Sequence, residues 1–168
     1  CWPDPQTAAA VLRRWADALA TDAPSFILLL EPADRASVPR LHALRGLLPD
    51  LPLYAPCPHR GPCPLNPVQD GVCHDVRRFR PGRPLVLLCR RLRRTVSDVK
   101  YALLAFGRPG GPQAEGFGDP DFLRLIGPVD KGKGVLACRV CMGDGAVRRL
   151  ELPTAALPAE RRHALLQR

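Results

Sequence analysis

The sequence predicts an α/β layer fold from three observations. A helical apolar period, a short unbroken apolar run and a second helical segment follow one another between residues 7 and 46. Strand-like runs broken by Gly turns fill the second half and meet at Asp144–Gly145, a hairpin signature. Hydrophobic residues are 46% of the 168, enough for a core, whereas aromatics are 5% and Pro (20) and Gly (14) are abundant, which excludes a coiled coil or an all-helical bundle.

Over residues 7–20, Ala8, Val11, Leu12, Trp15, Ala16 and Leu19 recur at helical spacing with Arg13, Arg14 and Asp17 opposite, so an amphipathic helix is expected with Trp15 on its apolar face. Residues 26–30 are Phe and then Ile and three Leu. Ended by Glu31 and Pro32, they read as a strand buried on both faces, the kind found in parallel sheets. Residues 37–46 have Ser37 as a cap, Pro39 in the first turn and Gly46 at the end, and read as a helix. From 49 to 84, nine prolines permit neither helix nor central strand. Residues 99–106, 135–141 and 146–152 read as strands, the last two flanking the 142–145 turn, and 158–168 as a short basic helix. Three segments result: 1–53, helix–strand–helix; 54–94, rich in Cys, Pro and Arg; and 95–168, closing strands, a Cys-bearing hairpin and a basic tail.

No apolar run is long enough to span a membrane, so no membrane partner is expected. The chain opens at Cys1, Trp2 and Pro3 with neither Met nor a signal or transit pattern, and reads as a fragment or a processed piece. Its seven Cys are unevenly placed. Cys57, Cys63 and Cys73 sit among Pro, His and Gly, Cys138 and Cys141 form a Cys-x-x-Cys, and Cys1 and Cys89 stand apart. A loop too rich in Pro to build its own hydrogen-bonded structure is fixed when thiolates close on a metal centre. Such clustering points to metal in a reducing compartment rather than to secreted disulfides.

Three Cys leave one ligand to be supplied by the second pair. Strand alternation puts Cys141 with Val135, Ala137 and Arg139 on one face, and Cys138 with Leu136 and Val140 on the other. Cys141, at the turn, is preferred over Cys138, which sits like a core residue. Zinc and a four-iron cluster both accept four thiolates, and His59 and His74 read either as zinc ligands or as hydrogen-bond partners of sulfur.

Several of these residues together carry a resemblance: Leu28 to Pro32, Arg45, the Ala55-Pro-Cys-Pro-His59 motif, Cys63–Pro64, Cys73–His74, Lys100–Tyr101, and the segment 134–145 with Cys141, Met142, Gly143, Asp144 and Gly145. From about residue 26 onward the chain resembles the C-terminal half of the methyltransferase-like small-ribosomal-subunit assembly family of bacteria and mitochondria, which includes methyltransferase-like protein 17. The sequence departs from the family pattern at Val72 and Asp75, where aromatic residues are usual. The resemblance implies the C-terminal part of a Rossmann-like class I methyltransferase fold, with residues 54–94 as a metal-binding insertion. It also implies a 4Fe-4S cluster on Cys57, Cys63, Cys73 and Cys141, with zinc as the alternative metal. The implied partner is the rRNA of the small ribosomal subunit, in the bacterial cytoplasm or the mitochondrial matrix and not in a secreted setting.

Arg77, Arg78, Arg80, Arg83, Arg90, Arg91, Arg93 and Arg94 fall in one 18-residue window without an acid, within a chain of formal charge +9. Directly after Cys73 they form a basic skirt suited to phosphate-backbone contact rather than base reading. A methyl donor such as S-adenosylmethionine needs a strand, a Gly-rich turn and a helix in succession. Gly107 to Gly111 runs into more Gly and Pro, while Gly132 with Gly134 and Gly143 with Gly145 mark hairpins, so donor binding is expected only from an N-terminal half outside this sequence. No nucleophile elbow, P-loop or paired carboxylates stand out. Cys138 and Cys141 lack the helix N-terminus that activates a redox dithiol.

Overall fold

The computed structural model describes residues 4–65, 72–114, 117–119 and 121–166. The fold is mixed α/β, built on two antiparallel sheets.

Helix α1 (Pro5–Asp17) begins where Asp4 accepts the N–H groups of Gln6 and Thr7 at 3.3 and 2.8 Å, with Pro5 in the first turn, where no N–H is needed. It buries Ala8, Ala9, Leu12 and Ala16. Trp15, expected on the apolar face, is 50% exposed. Helix α2 (Ser37–Gly46) is capped by Asp34 rather than Ser37: the carboxylate accepts the N–H groups of Ala36 (2.8 Å) and Ser37 (2.6 Å), and the Ser37 hydroxyl donates to it. The two helices cover one face of the first sheet. Their core includes Leu12, Val38, Leu41, Leu44, Leu48, Leu51 and Leu53 against Ala102, Leu104 and Phe106.

That sheet is organised by β4 (Asp98–Phe106), the long apolar strand expected over 99–106. On one side β1 (Ile27–Pro32) pairs with it antiparallel, Ile27 opposite Phe106 and Pro32 opposite Tyr101. The expected parallel, doubly buried strand is thereby corrected. Leu29 and Ile27 face the helices, while Leu28 (47%) and Leu30 (59%) remain exposed on the other face, so an unbroken apolar run here marks a strand covered on one side only. On the opposite edge of β4 lie two short strands, β2 (Leu53–Ala55) at one end and β3 (Asp75–Arg78) at the other. The proline-dense region thus supplies edge strands, as its composition requires. It also supplies α3 (Arg83–Arg91), started by Pro84 and burying none of its residues.

The second sheet centres on β7 (Val135–Met142). β8 (Val147–Pro153) forms the expected hairpin with it, the turn closing through Gly145 at φ +82°. Along the other edge run β5 (Leu123–Leu125) and the two-residue β6 (Asp130–Lys131). Helix α4 (Ala159–Leu166) ends the described chain. No helix among the described residues is long and apolar enough to cross a membrane.

Candidate metal centre

The topology brings the sulfurs together from two directions. β2 ends at Ala55, opposite Ala105, and β3 begins at Asp75, opposite Tyr101, so the intervening loop leaves and rejoins the same edge of β4. Cys57 and Cys73 therefore stand two residues from either end of a gap facing Ala102, Leu103 and Leu104, and both border one cavity with those residues. From the second sheet, Cys141 sits opposite Arg124 in the β5–β7 register, which places both side chains on one face. Cys57, Cys63, Cys73 and Cys141 line a single cavity of about 10 Å³ with His59, Arg45 and Arg124 among its other walls. Among the described residues no three His, Cys, Asp or Glu side chains already stand at the separation of ligands on one metal ion.

Cys138 is elsewhere. It packs with Val140 and Met142 against Leu125, Val129 and Leu150, on the face of β7 opposite Cys141. Cys89 is half-buried on α3, and Cys1 lies outside the described residues. His59 is buried (5% exposed), with its Nε2 3.3 Å from the Cys141 sulfur. His74 instead turns its Nδ1 toward the Val72 carbonyl at 2.7 Å.

Arginine orders this region where apolar packing is thin. The Arg45 guanidinium, 5% exposed at the end of α2, donates to the Gly61 carbonyl. Arg60 donates to the carbonyls of Leu48 and Leu51 and lies over the Phe117 ring, tying the loop to the end of α2. Arg124 holds Asp75 at 2.8 Å and so links the two sheets beside Cys73. Arg45 and Arg124 each keep one buried nitrogen without a partner, as does His59 at Nδ1, and all three residues border the thiol cavity. Sequence reasoning missed Arg60 and Arg124 and gave Arg45 no role. The legible signal was Arg45 at core spacing from Leu41 and Leu48. Arg124 carried none.

Burial pushes the thiols of Cys73 and Cys141 up to about 11, and neighbouring cysteines add to the shift, while Arg124 opposes it. Burial also raises Cys63. Burial, with Arg45 nearby, lowers His59. Arg124 keeps its charge firmly: burial works against it, but Cys73 and Asp75 more than offset this. Without metal, the thiols of Cys63, Cys73 and Cys141 are thus biased toward their neutral form, beside two guanidinium groups. The donor set suits a thiophilic centre, since four sulfur ligands carry negative charge once deprotonated and the cations can offset it.

The eight skirt arginines are exposed, and among the described residues none makes an ion pair. Arg77 and Arg78 lie on β3, Arg80 on the link that follows, Arg83, Arg90 and Arg91 on α3, and Arg93 and Arg94 just beyond it. Arg77 donates a long hydrogen bond (3.4 Å) to the Tyr101 hydroxyl.

Fold and site define a mixed α/β domain in which a thiol-lined cavity lies between two sheets and a basic strand and helix follow it. Residues 6–154 match the family described as mitochondrial small ribosomal subunit Rsm22. The chain belongs to that family, which is the small-subunit family its motifs resemble and which ties it to the small ribosomal subunit. No individual curated protein matches the chain.

Proposed function

We propose that this chain is the cluster-bearing, rRNA-binding part of a methyltransferase-like factor that serves assembly and translation by the small ribosomal subunit, in the mitochondrial matrix or the bacterial cytoplasm. The observation that carries it is the convergence of Cys57, Cys63, Cys73 and Cys141 on one cavity from two sheets, while Cys138 packs elsewhere. These four would hold a 4Fe-4S cluster, whose chemistry here is a compact, negatively charged cross-link between the loop and the hairpin. Arg45 and Arg124 offset that charge, His59 fixes the Cys141 side of the cavity, and Arg60 holds the loop to α2. Zinc on the same thiolates, making a structural module for protein binding, is the alternative reading. An active S-adenosylmethionine-dependent rRNA methyltransferase is a further one, and it requires donor-binding residues beyond those in this sequence.

RNA contact rests on the unpaired arginines of β3 and α3. Each phosphate they neutralise releases condensed counterions, so affinity for a structured rRNA fragment falls steeply as salt rises. The test compares the starting chain, an Arg90/Arg91/Arg93/Arg94→Ala variant and a metal-free sample in salt titrations. The slope of log affinity against log salt should flatten by about 0.7 to 0.9 per lost contact. Metal removal should weaken binding with every Arg present, because β3 begins two residues after Cys73. Equal affinities and slopes in all three would leave protein contact as the better reading.

A further inference from the structure

Among the walls of the thiol cavity, His59 meets a sulfur directly: its Nε2 stands 3.3 Å from the Cys141 Sγ. The ring is buried where the cysteine loop and the hairpin meet. A side chain added at Gly61, in the loop, would come within 3.4 Å of Nδ1, and one added at Gly145, in the β7–β8 turn, would come within 3.4 Å of the same atom and 3.5 Å of Cε1. Loop and turn therefore both rest on this imidazole. His74, the histidine beside Cys73, differs: its Nδ1 turns to the Val72 carbonyl, and it lines the groove along β3 instead. A metal-bound thiolate carries no proton and can only accept, so Nε2 must hold the ring proton and donate it. The opposite tautomer would set a nitrogen lone pair against the sulfur and leave an N–H at Nδ1, which is buried without a partner.

We infer that His59 is a positioning residue for the Cys141 ligand, donating an Nε2–H···S hydrogen bond that raises the reduction potential of the cluster held there. The inference rests on the cluster reading and deepens it. Reduction adds negative charge to the sulfurs, so a donor fixed on one of them stabilises the reduced form more than the oxidised form. Burial strengthens the bond and keeps water from replacing it.

The experiment compares the chain purified without oxygen with His59→Leu, His59→Gln and His74→Leu by redox titration, followed by visible absorption and electron paramagnetic resonance. Iron and sulfide contents check loading. His59→Leu should lower the potential by about 59 mV, which is a tenfold change in the ratio of reduced to oxidised cluster for a one-electron couple. His59→Gln, whose amide N–H can stand in for Nε2–H, should recover most of the loss, and His74→Leu should leave the potential unchanged. Pulsed resonance of the reduced cluster in protein carrying isotopically labelled histidine should show a weakly coupled nitrogen that disappears in His59→Gln. That measurement reads the contact even where His59→Leu fails to load. An unchanged potential in loaded His59→Leu, an equal fall in His74→Leu, or a nitrogen coupling that is absent from the starting chain or persists in His59→Gln would overturn the inference and leave the cluster reading standing. A coupling strong enough for direct ligation would overturn it as well, making His59 a ligand. A colourless chain holding zinc would overturn the cluster reading itself, and the inference falls with it.

Discussion

Between residues 8 and 53 the chain buries Leu12, Val38, Leu41, Leu44, Leu48, Leu51 and Leu53 in one layer. Among the described residues of 57–73, only Pro58, His59 and Leu65 are buried. The first region is held by apolar area removed from water, a non-directional force that needs no partner outside the core. The second is held by named polar links, Arg45 to Gly61, Arg60 to Leu48 and Leu51, and Arg124 to Asp75, placed around four thiols. Neighbouring segments can thus depend on different conditions. The helical layer should tolerate metal loss and oxidation, and the cysteine layer should respond to both.

The largest expected effect lies in the cysteine layer. Replacing Cys57, Cys63, Cys73 or Cys141 by Ser should abolish metal retention, since apparent binding energies for structural thiolate sites are on the order of 10 kcal/mol. Cys138→Ser should keep the metal and lose only a little packing. Metal analysis with limited proteolysis of the 57–73 loop reads both outcomes, and a metal-free Cys138→Ser with a loaded Cys141→Ser reverses the assignment of the fourth ligand.

Next is the helical layer. Phe106 is fully buried at the end of β4, so Phe106→Ala should lower unfolding free energy by about 3–5 kcal/mol. The loss in denaturant titrations should be the same with and without metal. A loss that vanishes in the metal-loaded protein would mean the two layers are one cooperative unit.

Smaller still is Arg45→Met. It leaves the Gly61 carbonyl unpaired at about 1–3 kcal/mol, and chelators should strip the metal faster while the urea transition of α1 and α2 barely moves. An unchanged stripping rate would show that arginine does not order the loop.

The smallest effect is acid sensitivity. Burial, with Arg45 beside it, pushes His42 down to about 4 from the usual 6.5. The unfolded chain therefore takes up this proton first, and stability present above pH 6.5 is lost as pH falls through 4. His42→Gln should flatten that part of the stability profile of the metal-free protein. Metal affinity should also fall with acid, because the raised thiols of Cys63, Cys73 and Cys141 must release protons to bind.

The sequence made much of the helical layer legible because side-chain periodicity reports which face is covered: α1, α2, β4 and the β7–β8 hairpin follow their apolar patterns. It could not report what lies beyond a face. The run at 26–30 looked doubly buried, yet Leu28 and Leu30 are exposed. α3 went unnoticed under the arginine count, although Pro84 opens it and Leu85, Leu88, Cys89 and Leu92 keep helical spacing. At the cysteine layer, alternation separates Cys138 from Cys141, and the structure puts them on opposite faces. Arg60 and Arg124 were invisible because their partners are backbone carbonyls and a carboxylate 49 residues away.

Whether the four converging cysteines hold an iron–sulfur cluster decides the reading of this site. Purification of the chain without oxygen, followed by visible spectroscopy and assay of iron, acid-labile sulfide and zinc, tests it most directly. The protein should be brown with broad visible absorption, carry iron and sulfide in equal amounts, and lose the colour in Cys57→Ser and Cys141→Ser but not in Cys138→Ser. A colourless protein carrying stoichiometric zinc would contradict it.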